Sequence, residues 1–129
     1  MPGEEIAGRI VESYEWASDD PYRAVTHNKG IMNGISAVSI ATGQDWRAIE
    51  AASHSWASIQ NNSQYQPLTR YSIVDIDDVS CLKGELELPL SVATKGGVLK
   101  TNPIYQFALG LLNYPDSKQL AQVNSKKKN

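Results

Sequence analysis

Between Lys29 and Asp45 no residue carries a charge, and the interval is filled with Gly, Ala, Ser and aliphatic or β-branched side chains. A run of this composition predicts a helix covered on nearly all sides, beginning near His27 to Gly30 and ending near Thr42. One cation and one carboxylate therefore stand at the two ends of an apolar rod. An unpartnered buried charge costs several kcal/mol, so Lys29 must be at the surface, paired, or retained for chemistry. Gly30 and Gly34 each cost roughly 1 kcal/mol relative to Ala in a helix interior, a penalty that another backbone packing closely there would offset. Lys29, Asn33 and Ser36 fall at i, i+4 and i+7 and form a narrow polar stripe, the face on which a ligand is to be sought.

The surrounding chain supplies helices and a strand pair. Ile6, Ile10, Tyr14 and Ala17 predict an amphipathic helix over Glu4–Ser18, with acids in its first turn and a stop at Asp19-Asp20-Pro21. Gly43 suits a helix C-cap. Asp45 suits the N-cap of a following helix whose apolar positions are Ala48, Ile49, Ala52, Trp56 and Ile59. Gln60 to Gln64 reads as a surface loop, and Tyr71–Ile76 as a strand followed by a turn at Asp77-Asp78. From Leu82 to Val92 apolar and polar residues alternate without a break, which predicts a second strand with one face in the core and an edge or bulge at Pro89. Lys95-Gly96-Gly97 predicts a turn. Thr101-Asn102-Pro103 opens a helix carrying Ile104, Phe107, Ala108, Leu111 and Leu112, and Asp116 caps a last helix over Ser117–Val123. Residues 124–129 hold no apolar side chain and are expected to form a disordered basic tail. The predicted fold class is α+β: a central, mostly buried helix surrounded by amphipathic helices and an antiparallel strand pair, in one folded unit.

Composition limits the function classes. A formal net charge of −2 with scattered cations gives no footprint for nucleic acid. Cys81 is the single cysteine, so neither a disulfide framework nor a thiolate metal cluster is expected, and a reducing, cytoplasmic setting is the default. The acidic start Met1-Pro2-Gly3-Glu4-Glu5 does not read as a secretory signal, and no uncharged interval is long and apolar enough to span a bilayer. His27 and His54 show no metal-ligand spacing and read as structural or surface histidines. Lys95-Gly96-Gly97 lacks the spacing of a phosphate or dinucleotide loop.

For the polar candidates two readings stand side by side. Lys29 is either a solvated lysine at a helix start or an ammonium that stabilises a developing alkoxide. Asp45 is a plain N-cap, a partner of Lys29, or a participant in proton transfer. Arg23 either clamps a carboxylate with its bidentate fork or pairs with Asp19 or Asp20.

Taken as collinear motifs, Asp20-Pro21-Tyr22-Arg23-Ala24-Val25-Thr26-His27-Asn28-Lys29-Gly30-Ile31-Met32-Asn33-Gly34 closely resembles a signature of the class II, bacterial and archaeal, 3-hydroxy-3-methylglutaryl-CoA (HMG-CoA) reductases. The match continues through Ala41 to Ala48, Gln64-Tyr65, Leu68-Thr69, Gly84 to Pro89, Ala93 to Gly97 and Leu120-Ala121. The resemblance implies a two-step reduction of HMG-CoA to mevalonate and CoA, or its reverse, with hydrides from NADH or NADPH and no metal. It assigns Lys29 and Asp45 as catalytic residues, and Arg23 and Asn33 as substrate-binding residues. It also implies self-association, because the family's active sites form across a dimer interface. The family's catalytic glutamate, its catalytic histidine and its nicotinamide-binding domain have no counterpart motif in these residues. Residues 1–123 are therefore expected to be part of the large substrate-binding domain and to be inactive alone. The alternative is a non-catalytic module that binds an acyl-CoA or dicarboxylate, or that only dimerises.

Overall fold

The computed structural model describes residues 3–60, 64–113 and 116–122. They comprise, in order, helices α1 (Gly3–Asp19), α2 (Pro21–Ala41) and α3 (Trp46–Ile59), strands β1 (Thr69–Ile76) and β2 (Val79–Leu86), and helices α4 (Gly97–Thr101), α5 (Pro103–Leu112) and α6 (Ser117–Gln122). The α+β class holds. Two compact units are formed, one from Met1–Ile31 with His54–Leu88 and the other from Met32–Ser53 with Pro89–Asn129. The expectations for the tail at 124–129 and for the middle of the 60–64 loop lie outside the described residues.

In the first unit α1 packs along the hairpin, and Tyr14 meets Tyr71 edge-on with ring centroids 6.2 Å apart. The break after α1 is immediately a new start. Asp20 accepts the Tyr22 amide at 2.9 Å through Oδ1, and its carbonyl takes the Ala24 N–H at 2.8 Å. With Pro21 in the first position this is an N-terminus built by cap and proline together, so α2 begins six residues before the predicted His27. Read only as a stop signal, the proline conceals the start it makes.

Helix α2 also differs from the expected fully covered rod. Ala24, Asn28, Met32, Ile35 and Ser39 are buried, in a single stripe at helical spacing, while Val25, Val38 and Ile40 are about half exposed. Among the described residues no atom outside the neighbouring turns of α2 lies within 4 Å of the point where a Cβ on Gly30 or Gly34 would stand, so no other described element packs its backbone on them.

The hairpin runs from Thr69 opposite Leu86 to Ile76 opposite Val79. Asp77 and Asp78 both take positive φ, 51° and 61°, giving the type I′ turn whose twist suits a two-residue hairpin loop. Pairing starts earlier and ends earlier than the predicted Leu82–Val92 strand, because β1 offers no partner beyond Thr69 apart from the Leu68 carbonyl, which accepts from Glu87 N–H at 3.2 Å. The alternation nonetheless governs exposure. Leu86, Leu88, Leu90 and Val92 are half-buried, while Glu87, Pro89 and Ser91 are exposed. Period-two patterning here marks extended chain, only part of which is laddered.

In the second unit α2 closes in a Schellman motif, with Gly43 N–H bonded to the Ile40 carbonyl at 3.1 Å and Gln44 N–H to Ser39 at 2.8 Å. Gly43 has φ +68°, and an added Cβ would stand 2.8 Å from Leu99 Cδ2 and from Tyr105 Cγ. Gln44 then pairs with Ala93 as a peptide would, accepting its N–H at Oε1 (2.8 Å) and donating Nε2 to its carbonyl (2.8 Å). Asn102 caps α5 through the Ile104 amide, and Asp116 caps α6 through the Gln119 amide, as the sequence predicts. The apolar stripe of α5 does not reach a core: Ile104, Phe107 and Leu111 are each about 70% exposed. Among the described residues no helix is long and apolar enough to cross a membrane.

Gly43→Ala combines a left-handed backbone with a collision, and is expected to destabilise the second unit by about 2–4 kcal/mol. Thermal unfolding monitored by circular dichroism checks this; a midpoint unchanged from the parent would contradict the packing of Leu99 and Tyr105 on Gly43.

Candidate functional site

The middle of α2 is held by Asn28, an unexpected residue for a helix interior because its amide competes for backbone bonds. It is fully buried. Its Nδ2 donates to the Gln66 carbonyl at 2.9 Å and to the Tyr65 hydroxyl at 3.1 Å, and its Oδ1 accepts the Leu68 N–H at 2.8 Å. The bonds to Gln66 and Leu68 satisfy backbone groups of the segment that leads into β1, which would otherwise be buried without partners. The same segment is tied to α3 through Gln66 N–H and the Ala57 carbonyl, 2.9 Å apart.

Both histidines belong to this structural layer, as the sequence suggests. His54 Nδ1 lies 2.8 Å from the Tyr65 hydroxyl, and His27 Nε2 lies 2.6 Å from the hydroxyl of the buried Thr69. Burial pushes the His27 pKa below the ordinary 6.5, and the nearby Arg23 charge lowers it further. Among the described residues no group of three or more His, Cys, Asp or Glu side chains is placed to hold a metal ion.

One residue beyond Asn28, and so turned roughly 100° around the helix, Lys29 is exposed. Asn33 stands one turn further along and is exposed as well, with Ser36 half-buried after it, so the polar stripe exists on the open side of α2. Among the described residues Lys29 makes no salt bridge. Arg23 does not pair with Asp19 or Asp20. Its guanidinium carbon lies 5.2 Å from the centre of the Trp16 ring, and its Nη2 donates to Ser13 Oγ at 3.2 Å, both on α1.

Arg23 and Lys29 belong to the first unit, Asn33 and Asp45 to the second. Asp45 caps α3, accepting the Ala48 amide at Oδ1 (3.1 Å). Its side chain is exposed and lines a groove of about 350 Å³ together with Gln44, Lys95, Gly96 and Gly97. The cap uses one carboxylate oxygen for this bond, and an N-cap role does not compete with chemistry at the other.

A family model for hydroxymethylglutaryl-coenzyme A reductase matches residues 1–125. The chain belongs to that family. It is 46% identical over 121 residues to the 3-hydroxy-3-methylglutaryl-coenzyme A reductase of Archaeoglobus fulgidus, a match covering 94% of this chain and 26% of the relative. It is 39% identical over 117 residues to the probable reductase of Borreliella burgdorferi, covering 88% and 26%. Among solved structures, a 3-hydroxy-3-methylglutaryl-coenzyme A reductase of Streptococcus pneumoniae is similar with a TM-score of 0.84 at 47% identity, over 95% of this chain and 32% of that one. A class II reductase from the same organism, bound to NADPH in open conformations, is similar with a TM-score of 0.82 at 48% identity, over 94% and 28%. The chain thus spans about a quarter to a third of the length of these reductases.

Among the described residues the one sheet is a two-stranded antiparallel hairpin. It does not carry the strand, Gly-rich turn and helix that cradle a dinucleotide pyrophosphate, and no described residue is assigned to the nicotinamide cofactor.

The depressed His27 pKa has a stability consequence. Between that lowered value and 6.5 the unfolded chain binds more protons than the folded one, so stability falls as pH drops through this window and is level in this respect above it. The His27 ring signal in an NMR titration is expected to have its midpoint below 6.5, and His27→Gln to remove this part of the acid sensitivity. A midpoint at or above 6.5 would contradict the burial.

Proposed function

We propose that this chain contributes part of the substrate-binding side of an HMG-CoA reductase active site, acting in the NAD(P)H-dependent reduction of HMG-CoA to mevalonate or its reverse. The observation that carries the reading is the exposed side of α2, where Lys29 and Asn33 face away from a helix side pinned by Asn28. Hydride addition to the thioester carbonyl gives a hemithioacetal, whose C–S bond breaks to release CoA as its protonated thiol and leave an aldehyde. A second hydride then gives the alcohol, and each addition builds negative charge on oxygen. An ammonium placed at that oxygen stabilises the charge and can supply the proton. Lys29 takes that role, and Asp45 takes part in proton transfer. Arg23 holds the free carboxylate of the 3-hydroxy-3-methylglutaryl group with its planar fork, and Asn33 hydrogen-bonds the substrate. The hydride comes from NADH or NADPH, carried by residues outside those described here. Cytoplasmic location and self-association complete the reading.

A second reading, a dimerisation module without chemistry, is favoured by the exposed α5 stripe of Ile104, Phe107 and Leu111. Calorimetry with HMG-CoA separates the two. The 129-residue chain is expected to bind HMG-CoA without oxidising NADH or NADPH. Lys29→Ala is expected to weaken binding by about tenfold, the loss of one charge-assisted contact. Turnover by the chain alone would contradict the partial-site reading. Absence of binding together with a silent Lys29→Ala would favour the module.

A further inference from the structure

The guanidinium of Arg23 is held by two groups of α1 and by no carboxylate among the described residues. The Trp16 ring lies 5.2 Å beneath it, and Ser13 Oγ accepts from Nη2 at 3.2 Å. Trp16 is itself 61% exposed, so its indole contributes little to the core, and burial of apolar area does not account for it. A planar cation over an indole face keeps its in-plane N–H donors free, whereas a salt bridge to Asp19 or Asp20 would occupy them. The Ser13 bond uses one Nη2 hydrogen and restricts rotation of the fork about its stem. An arginine side chain loses rotamer freedom when it is ordered, and one held over a ring and tethered by a hydroxyl has lost part of it before a ligand arrives.

We propose that Trp16 is a positioning residue for Arg23: its indole face, with the Ser13 hydroxyl, holds the guanidinium in the pose that meets a substrate carboxylate. The second half of that statement rests on the reading of Arg23 given above, and the first half does not. His27 provides an internal reporter, since it stands one helical turn from Arg23 on α2, bonded to the Thr69 hydroxyl, and feels the guanidinium charge.

The test is a pair of measurements on the full 129-residue chain with Trp16→Leu, which keeps an apolar side chain but removes the π face, and Trp16→Phe, which keeps a π face. Arg23→Ala sets the full size of the effect. In an NMR titration, Trp16→Leu is expected to move the His27 midpoint upward, part of the way to that of Arg23→Ala, while Trp16→Phe stays close to the parent. Calorimetry with 3-hydroxy-3-methylglutarate is expected to give binding about two- to fivefold weaker in Trp16→Leu, with Trp16→Phe again near the parent. Binding of the dimethyl ester, which has no carboxylate, is expected to be insensitive to either change. A His27 midpoint that does not move in Trp16→Leu overturns the proposal. A midpoint that moves while carboxylate binding does not leaves the Trp16 clamp standing and removes Arg23 from the substrate site.

Discussion

The side chain of Asn28, fully buried on α2, makes three hydrogen bonds to residues 65–68, and the order of the first unit depends on them. Residues 65–68 pass between α2 and α3 as irregular chain, and irregular chain inside a protein must find partners for its amides and carbonyls. Asn28 provides one donor for the Gln66 carbonyl and one acceptor for the Leu68 amide, and its remaining N–H meets a tyrosine hydroxyl that also lies beside His54. A hydrocarbon in the same place would leave these groups desolvated, at about 1–3 kcal/mol each. The hairpin begins immediately afterwards at Thr69, itself fixed to His27, so the same turn of α2 sets where the sheet starts.

That anchorage has a consequence for chemistry. Pinning one residue of a helix from the buried side fixes the azimuth of its neighbours, and Lys29 follows Asn28 directly. The cation therefore faces open space because the residue before it cannot turn. Arg23 is constrained differently, by an aromatic face and a hydroxyl from α1. Asp45 is constrained by a cap, at a corner that the left-handed Gly43 and the Gln44–Ala93 pairing hold in shape. Lys29, Arg23 and Asp45 are thus each oriented by a neighbour that has no part in the proposed chemistry itself.

Much of this was legible in the sequence where a local rule decides the outcome. The Gly43 and Asp45 corner, the caps at Asn102 and Asp116, and the Asp77-Asp78 turn are all consequences of a residue type at a fixed position, and all are found. The polar stripe Lys29, Asn33 and Ser36 follows from helical periodicity alone. The errors arise where tertiary partners decide. The start of α2 depends on Asp20 and Pro21 working together, and the extent of β2 on how much of β1 is available to pair. Burial around Gly30 and Gly34 depends on what approaches the helix, and among the described residues no other element does. The role of Asn28 has a signal in the sequence, since an asparagine in the interior of an otherwise apolar helix calls for a buried partner. The partners of Arg23 had no comparable signal, because a tryptophan seven residues earlier on another helix shows no short-range pattern.

Asn28 locks the 65–68 segment to α2 and so fixes both the hairpin and the face of the helix that carries Lys29. Native-state hydrogen exchange at the Leu68 amide tests it most directly. Protection comparable to that of the paired amides of β1 is expected, with its loss across residues 66–69 in Asn28→Leu together with about 3 kcal/mol of unfolding free energy. A Leu68 amide that exchanges in the parent chain as fast as an exposed loop would contradict it.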